Sequence, residues 1–451
     1  MSASSATLAA PASPQAKRSA DGVIGRRVIA HAVWHALLWL VVANVVGVIL
    51  AAMLLLPGIN TALAPLTYGR WMPVHMNLQL YGWCSLPLVA FLLHVYGGRR
   101  QPAATWVSSV LWLWSAALTV GCVSWLSGQT SGKLFLDWTG YSRILFPLAL
   151  LGLWALLARS FWHQCQTEAH NKWIKLTKTI GLILLLLVPV LIYIASSPMI
   201  YPPINPDTGG PTGASQLEST LVIIAILLLL PFGIAQRRPT PSRTIRYAWI
   251  IFAVECLLCL ALGRADVSHH KPAQWVSLAS LLVWMPLTPA YYAAFQWHRN
   301  TRLWRAAFLC WWIVLIPTGW ALFLPGVLDH FKFTDGLVAH SLLAMAGFVS
   351  SLLIFVLVQL MEDDGWIFTG KNSFYLWQLS VAAYVAIMFY AGWIEGFHPA
   401  FSMVPGSLRD GLYLARLGLG VLILIASAIW FKDSFSLFRE IESSNAPTER
   451  T

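Results

Sequence analysis

Leu217-Glu-Ser-Thr-Leu-Val-Ile-Ile-Ala-Ile-Leu-Leu-Leu-Leu-Pro-Phe-Gly-Ile-Ala-Gln236 carries a single charged residue, at its second position. It is apolar on every face, so no amphipathic stripe lets it pack on a soluble core while a polar side meets water. Its length matches the run of about 20 residues that a helix needs to cross a bilayer. Eleven similar runs flank it, at approximately 33–56, 74–96, 104–126, 143–163, 174–196, 243–264, 273–297, 302–325, 336–361, 374–397 and 409–432. The pattern predicts an all-α membrane protein, a bundle of twelve transmembrane helices in one domain.

Composition agrees. Hydrophobic residues make up 58% of the 451 positions and charged residues 10%, too few to cover a water-soluble surface. The formal charge of +11 sits in short loops between apolar runs, where Lys and Arg set orientation and meet anionic lipid head groups. That placement argues against nucleic acid as a partner. Of the 29 lysines and arginines, 21 fall in the two termini and the even-numbered connections and 7 in the odd-numbered ones, with Arg416 inside the last span. By the positive-inside rule both termini are expected in the cytoplasm of a multi-pass plasma-membrane (bacterial inner-membrane) protein. Residues 1–30, rich in Ala, Ser and Pro, are expected to form a disordered cytoplasmic tail, 31–435 the helical domain and 436–451 a second tail. The loop Tyr201 to Gly213, with four prolines and three glycines, is expected on the outer face with Ser268 to Gln274.

The polar residues inside the spans locate the chemistry. His31, His35, His94, His163, His170 and His298 fall at helix ends on the basic side, where an amphipathic ring suits the interface. His75 and His340 differ, lying within the first two turns of the second and tenth spans at similar depth. Two neutral imidazoles facing each other across a bundle are the usual axial pair of a b-type haem; a hydrogen-bonded structural histidine at a helix start is the other reading. Glu255 and Arg416 are costly at membrane depth and are expected to face the interior with a partner or a bound anion such as a haem propionate. Cys256 and Cys259, the one close cysteine pair, lie within an apolar helix and read as packing residues. The 24 tryptophans cluster near span ends and read first as an interfacial belt, then as a shell around haem.

At these positions the chain resembles the haem-bearing subunit I of the haem-copper oxidase superfamily, most closely the cbb type. Arg70-Trp-Met-Pro-Val-His-Met-Asn-Leu-Gln-Leu-Tyr-Gly-Trp83 is similar to the family's Arg-x-x-Pro-x-His-x-Asn segment, which places His75 on the low-spin haem. Pro272-Ala-Gln-Trp275 and Leu282-Val-Trp-Met-Pro286 resemble landmarks of the eighth span, Phe333-Thr-Asp-Gly-Leu-Val-Ala-His340 the approach to the family's His-x-His, and Arg416-Leu-Gly-Leu-Gly420 a stretch of the twelfth. The resemblance implies a twelve-helix oxidase-type bundle, one or two haems b held by His75 and His340 with Arg416 beside them, respiratory electron transfer, and a cytochrome c partner on the outer face.

Departures from the family pattern limit this. The His-x-His here is His340-Ser-Leu342, so the second ligand is missing. Two arrangements remain open: His75 and His340 on separate haems, or both on one. The sixth span has no histidine where the family places its first copper ligand, and no cross-linking tyrosine is evident in the seventh. His269 and His270 resemble the family's copper pair but stand about five residues too close to Pro272, so copper is expected to be absent or substoichiometric. A reading from another class is a non-redox transporter or haem-handling scaffold that keeps the fold.

Overall fold

The computed structural model describes residues 14–97, 104–133, 135–167, 171–203, 216–239, 243–262 and 270–443. Twelve helices are long and apolar enough to cross a membrane: Gly25–Leu55, Tyr68–Gly97, Ala104–Leu126, Ser142–Thr167, Lys172–Ala195, Gln216–Ile234, Arg243–Leu262, Pro272–Ala293, Arg299–Leu322, Asp335–Phe368, Lys371–Phe397 and Ser407–Ile441. Numbered first to twelfth, they coincide with the twelve runs read from hydropathy, and the protein is a multi-pass helical membrane protein. The first helix reaches back to Pro14 and the last on to Ser443, inside segments expected to be tails. The exceptions to helix among the described regular elements are two-residue strands, Gln236–Arg237 and Phe295–Gln296, paired antiparallel.

Packing divides the bundle. The first span lies against the second and the twelfth, and the eleventh against the tenth and the twelfth, so these five enclose a common interior. The fifth and seventh spans are peripheral, with 11% and 17% of their apolar windows buried, and present residues such as Leu184, Leu191, Leu257 and Leu260 outward, as lipid contact requires. Tenth and eleventh spans meet at backbone distance: a Cβ added at Gly392 would stand 2.0 Å from the amide nitrogen of Gly336. Small residues at helix crossings permit this approach, which in lipid replaces the hydrophobic drive available in water.

Eight of the 24 tryptophans depart from the expected belt. Trp83, Trp125, Trp138, Trp284, Trp304, Trp312, Trp377 and Trp430 are fully buried and form core, not belt. An indole tolerates burial in a membrane when its N–H finds an acceptor. Trp304 donates to the Phe368 carbonyl at 2.8 Å, Trp312 to that of Trp284 at 2.9 Å, and Trp83 to the Ser350 hydroxyl at 2.8 Å, in each case linking different spans or span ends. His35, expected at the interface, is likewise buried, with its Nδ1 2.8 Å from the Ser115 hydroxyl, which also accepts from Trp39.

Two spans contain a π-helical stretch, Leu78–Cys84 in the second and Leu343–Val349 in the tenth. In both, a serine hydroxyl takes up a carbonyl five residues back: Ser85 to Leu80 at 2.9 Å and Ser350 to Met345 at 2.8 Å. Wider turns of this kind rotate the following residues and are frequent at functional sites. Here both stretches border the same interior space.

Candidate functional site

That space is a mostly apolar cavity of about 1270 Å³, counting its open mouth, between the first, second, tenth, eleventh and twelfth spans. His75 lies in its wall, with Leu342 and Met345 contributed by the tenth span. The second span begins only seven residues before His75, which sets the imidazole about 10 Å below that end of the bundle.

Two features of the first span fix the His75 ring. Its Nδ1 lies 2.8 Å from the Ala43 carbonyl oxygen. A carbonyl can only accept, so Nδ1 carries the proton and Nε2 is left as an unprotonated lone pair. The ring then lies flush on Gly47, where an added Cβ would come within 2.8 Å of Cε1 and 3.2 Å of Nδ1. A residue with any side chain at 47 would push the ring off this seat. A neutral imidazole held through Nδ1 to a carbonyl, with Nε2 available beside an apolar cavity, is the arrangement of a metal-ligating histidine. The donor set and lining therefore fit a flat apolar group bearing a metal.

His340 sits on another face of the tenth span. Val338, Ser341 and Leu342 line the cavity, whereas the His340 ring lies over Gly319 of the ninth span, whose added Cβ would be 3.4 Å from Cε1 and 3.6 Å from Nε2. Residues two apart on a helix point to nearly opposite sides, so facing Leu342 into the cavity turns His340 out of it. Its Nδ1 is buried without a hydrogen-bond partner. His75 and His340 therefore face different spaces.

At the end of the bundle where the second, tenth and twelfth spans begin, the cavity meets a charged cluster. Arg416 Nη1 donates to Asp335 Oδ2 at 2.6 Å, and the Asp335 amide donates to Glu395 Oε2 at 2.6 Å. The guanidinium lies over the rings of Tyr413 and Tyr384, at 5.1 and 5.9 Å from their centroids, and its Nε is buried with no partner. Arg416 lines the cavity with its Nε unengaged, and of the two expected alternatives, a partner or a bound anion, the structure supplies the partner. Its ion partner is Asp335, not Glu255. The latter, in the seventh span, accepts from the Trp284 indole at 2.6 Å.

A polar chain crosses the wall of the cavity. Gln79 donates to Asn44 Oδ1 at 2.9 Å, and Asn44 donates to the Ser427 hydroxyl at 3.0 Å, tying second, first and twelfth spans together. Of the two residues proposed for copper, His269 lies outside the described residues. His270 pairs with Asp329 at 3.5 Å on an exposed surface. Among the described residues no three of His, Cys, Asp and Glu converge on one point. The loop expected at Tyr201 to Gly213 is described only as far as residue 203, so most of it also lies outside.

Sequence reading did not single out Ala43, Gly47, Asp335, Glu395 or Met345. Asp335 carried a usable signal, an acid at the start of an apolar span two residues after Phe333 in a quoted motif. Ala43 and Gly47 carried none, since an apolar helix offers many small residues and only packing shows which one receives a ring. No protein-family model matches the chain, and no curated protein does.

Proposed function

We propose that the chain is a membrane haem protein of respiratory electron transfer, related in plan to the cbb-type subunit I of the haem-copper oxidases. The observation that carries this reading is His75, its tautomer set by the Ala43 carbonyl and its Nε2 presented to an apolar cavity between five spans. The order of motifs from Arg70 to Gly420 supports the same reading. A b-type haem bound there supplies one-electron redox chemistry.

The residues divide the work. His75 would hold the iron through Nε2, Gly47 lets the ring stand close to the first span, and the apolar walls would limit the access of water to the metal. Arg416 would meet an acidic edge of the group with its unengaged Nε, while Asp335 holds the guanidinium and Glu395, accepting from the Asp335 amide, holds Asp335. His340, turned toward Gly319, would hold the second haem. In this reading the termini are cytoplasmic in a bacterial inner membrane, and a cytochrome c partner docks on the outer face at the Tyr201 to Gly213 loop together with the Ser268 to Gln274 loop. Copper stays below one per chain; one tightly held copper lost on replacing His269 and His270 together with alanine refutes that part.

Colour tests the reading against a transporter or haem-handling scaffold. Purified protein should show a Soret band and a dithionite-reduced α band. His75→Ala and His340→Ala should each remove a different haem. Full haem content in both variants, or a colourless wild-type protein, overturns the reading.

A further inference from the structure

We propose that the thioether of Met345 is the second axial ligand of the haem that His75 holds, in place of the histidine that Leu342 displaces. The inference rests on the haem reading of His75 and goes beyond it in naming the donor on the opposite wall.

A ligand opposite His75 has to come from a span that faces it. Met72, Met76 and Cys84 line the cavity too, but they share the second span with His75 and belong to its own wall. Across the cavity, sulfur is offered by Met345 of the tenth span and Met388 of the eleventh. Helical side chains lean toward the N-terminus of their helix, and this separates the two. Leu342 stands seven residues into the tenth span, as His75 stands seven into the second, so the two share a depth. Met345 is three residues, about 4.5 Å, deeper, and its chain leans back toward that level. The eleventh span runs the other way, so Met388 leans away from it.

The backbone under Met345 is also held from the His75 side. Its carbonyl, freed by the π-helical turn, accepts from Ser350 at 2.8 Å, and the same serine accepts from Trp83 of the second span at 2.8 Å. The next carbonyl, of Ala346, accepts from the Trp377 indole at 3.2 Å. One continuous run of hydrogen bonds thus sets the spacing between the span that bears His75 and the turn that bears Met345. A thioether is a soft neutral ligand that favours ferrous iron, so a His/Met pair raises the reduction potential above that of a bis-imidazole pair.

The test uses full-length protein purified in detergent, with haem content measured for every variant. In wild-type ferric protein the haem held by His75 should be low-spin and show the weak sulfur-to-iron charge-transfer band in the far red. Met345→Leu should lose that band, become high-spin and fall in midpoint potential while keeping its haem. Met345→His should return to low-spin without the band, which separates lost ligation from lost folding. Met388→Leu should leave the spectrum unchanged. A low-spin spectrum that keeps the band in Met345→Leu, or loses it in Met388→Leu, overturns the methionine assignment alone. Haem retained unchanged in His75→Ala, or a wild-type chain without haem, overturns the reading beneath it as well.

Discussion

Replacing Gly47 with alanine adds one methyl group, and its effect can be worked from the seat of the His75 ring. The added carbon would stand 2.8 Å from Cε1 and 3.2 Å from Nδ1, inside the distance at which carbon atoms pack. Alanine is the better helix former by about 1 kcal/mol, so on propensity alone the change would stabilise. Overpacking of this kind costs about 1–3 kcal/mol. Moving the ring also strains its 2.8 Å bond to the Ala43 carbonyl, worth about 1 kcal/mol. Propensity acts equally with and without a bound group, so the two seat terms leave about 2–4 kcal/mol against the seated imidazole, or roughly a 30- to 1,000-fold weaker hold on the proposed haem. The assay is the rate and extent of haem transfer from purified protein to an excess of apo-globin. Gly420 supplies the control: it lines the same cavity, but a Cβ there meets only Val48 at 3.8 Å, an ordinary contact. Gly420→Ala should release haem as wild type does. Equal retention by Gly47→Ala, with an unchanged spectrum, would refute the claim that this glycine seats the ligand.

Three further outcomes follow from the packing. Asp335→Asn leaves Arg416 buried without its counter-ion and should cost about 3–5 kcal/mol in thermal or denaturant unfolding of the detergent-solubilised protein; the double variant Asp335→Leu, Arg416→Met should recover most of it, and a double variant as unstable as the single one would show that the pair is not the reason. Trp83→Phe removes the indole donor to Ser350 and should cost about 1 kcal/mol, read as a lower melting temperature; no change would mean that the link between the two π-helical turns carries no stability. Gly392→Ala brings a side chain into the Gly336 backbone and should prevent assembly or cost more than about 3 kcal/mol, whereas Gly411→Ala, with open space around it, should express and run on gel filtration as wild type.

Hydropathy located all twelve spans because the requirement it reports is local: every backbone amide in hydrocarbon must be paired within its own helix, and about 20 apolar residues must surround it. That requirement is written in consecutive residues and survives without any knowledge of neighbours. It also singled out His75 and Arg416 as side chains that would not sit in lipid without a reason. The depth of a residue along its span is local too, and so the common level of His75 and His340 could be read.

Which way a side chain faces at that depth is not local. His75 and His340 match in depth yet face different spaces, because the tenth span turns Leu342 into the cavity and His340 onto Gly319. The partner of Arg416 is Asp335, 81 residues away in sequence, and the partner of Glu255 is an indole; charge alone would have allowed other pairings. Trp83, Trp304 and Trp312 moved from belt to core for the same reason, since each buried indole donates to an acceptor on another span or span end. The sequence by itself determined how many times the chain crosses and which residues are out of place in hydrocarbon. Only the tertiary structure decided the azimuth of each helix, shifted further by the π-helical turns at Leu78–Cys84 and Leu343–Val349, because helix rotation is set by packing between spans and not by the composition of any one of them.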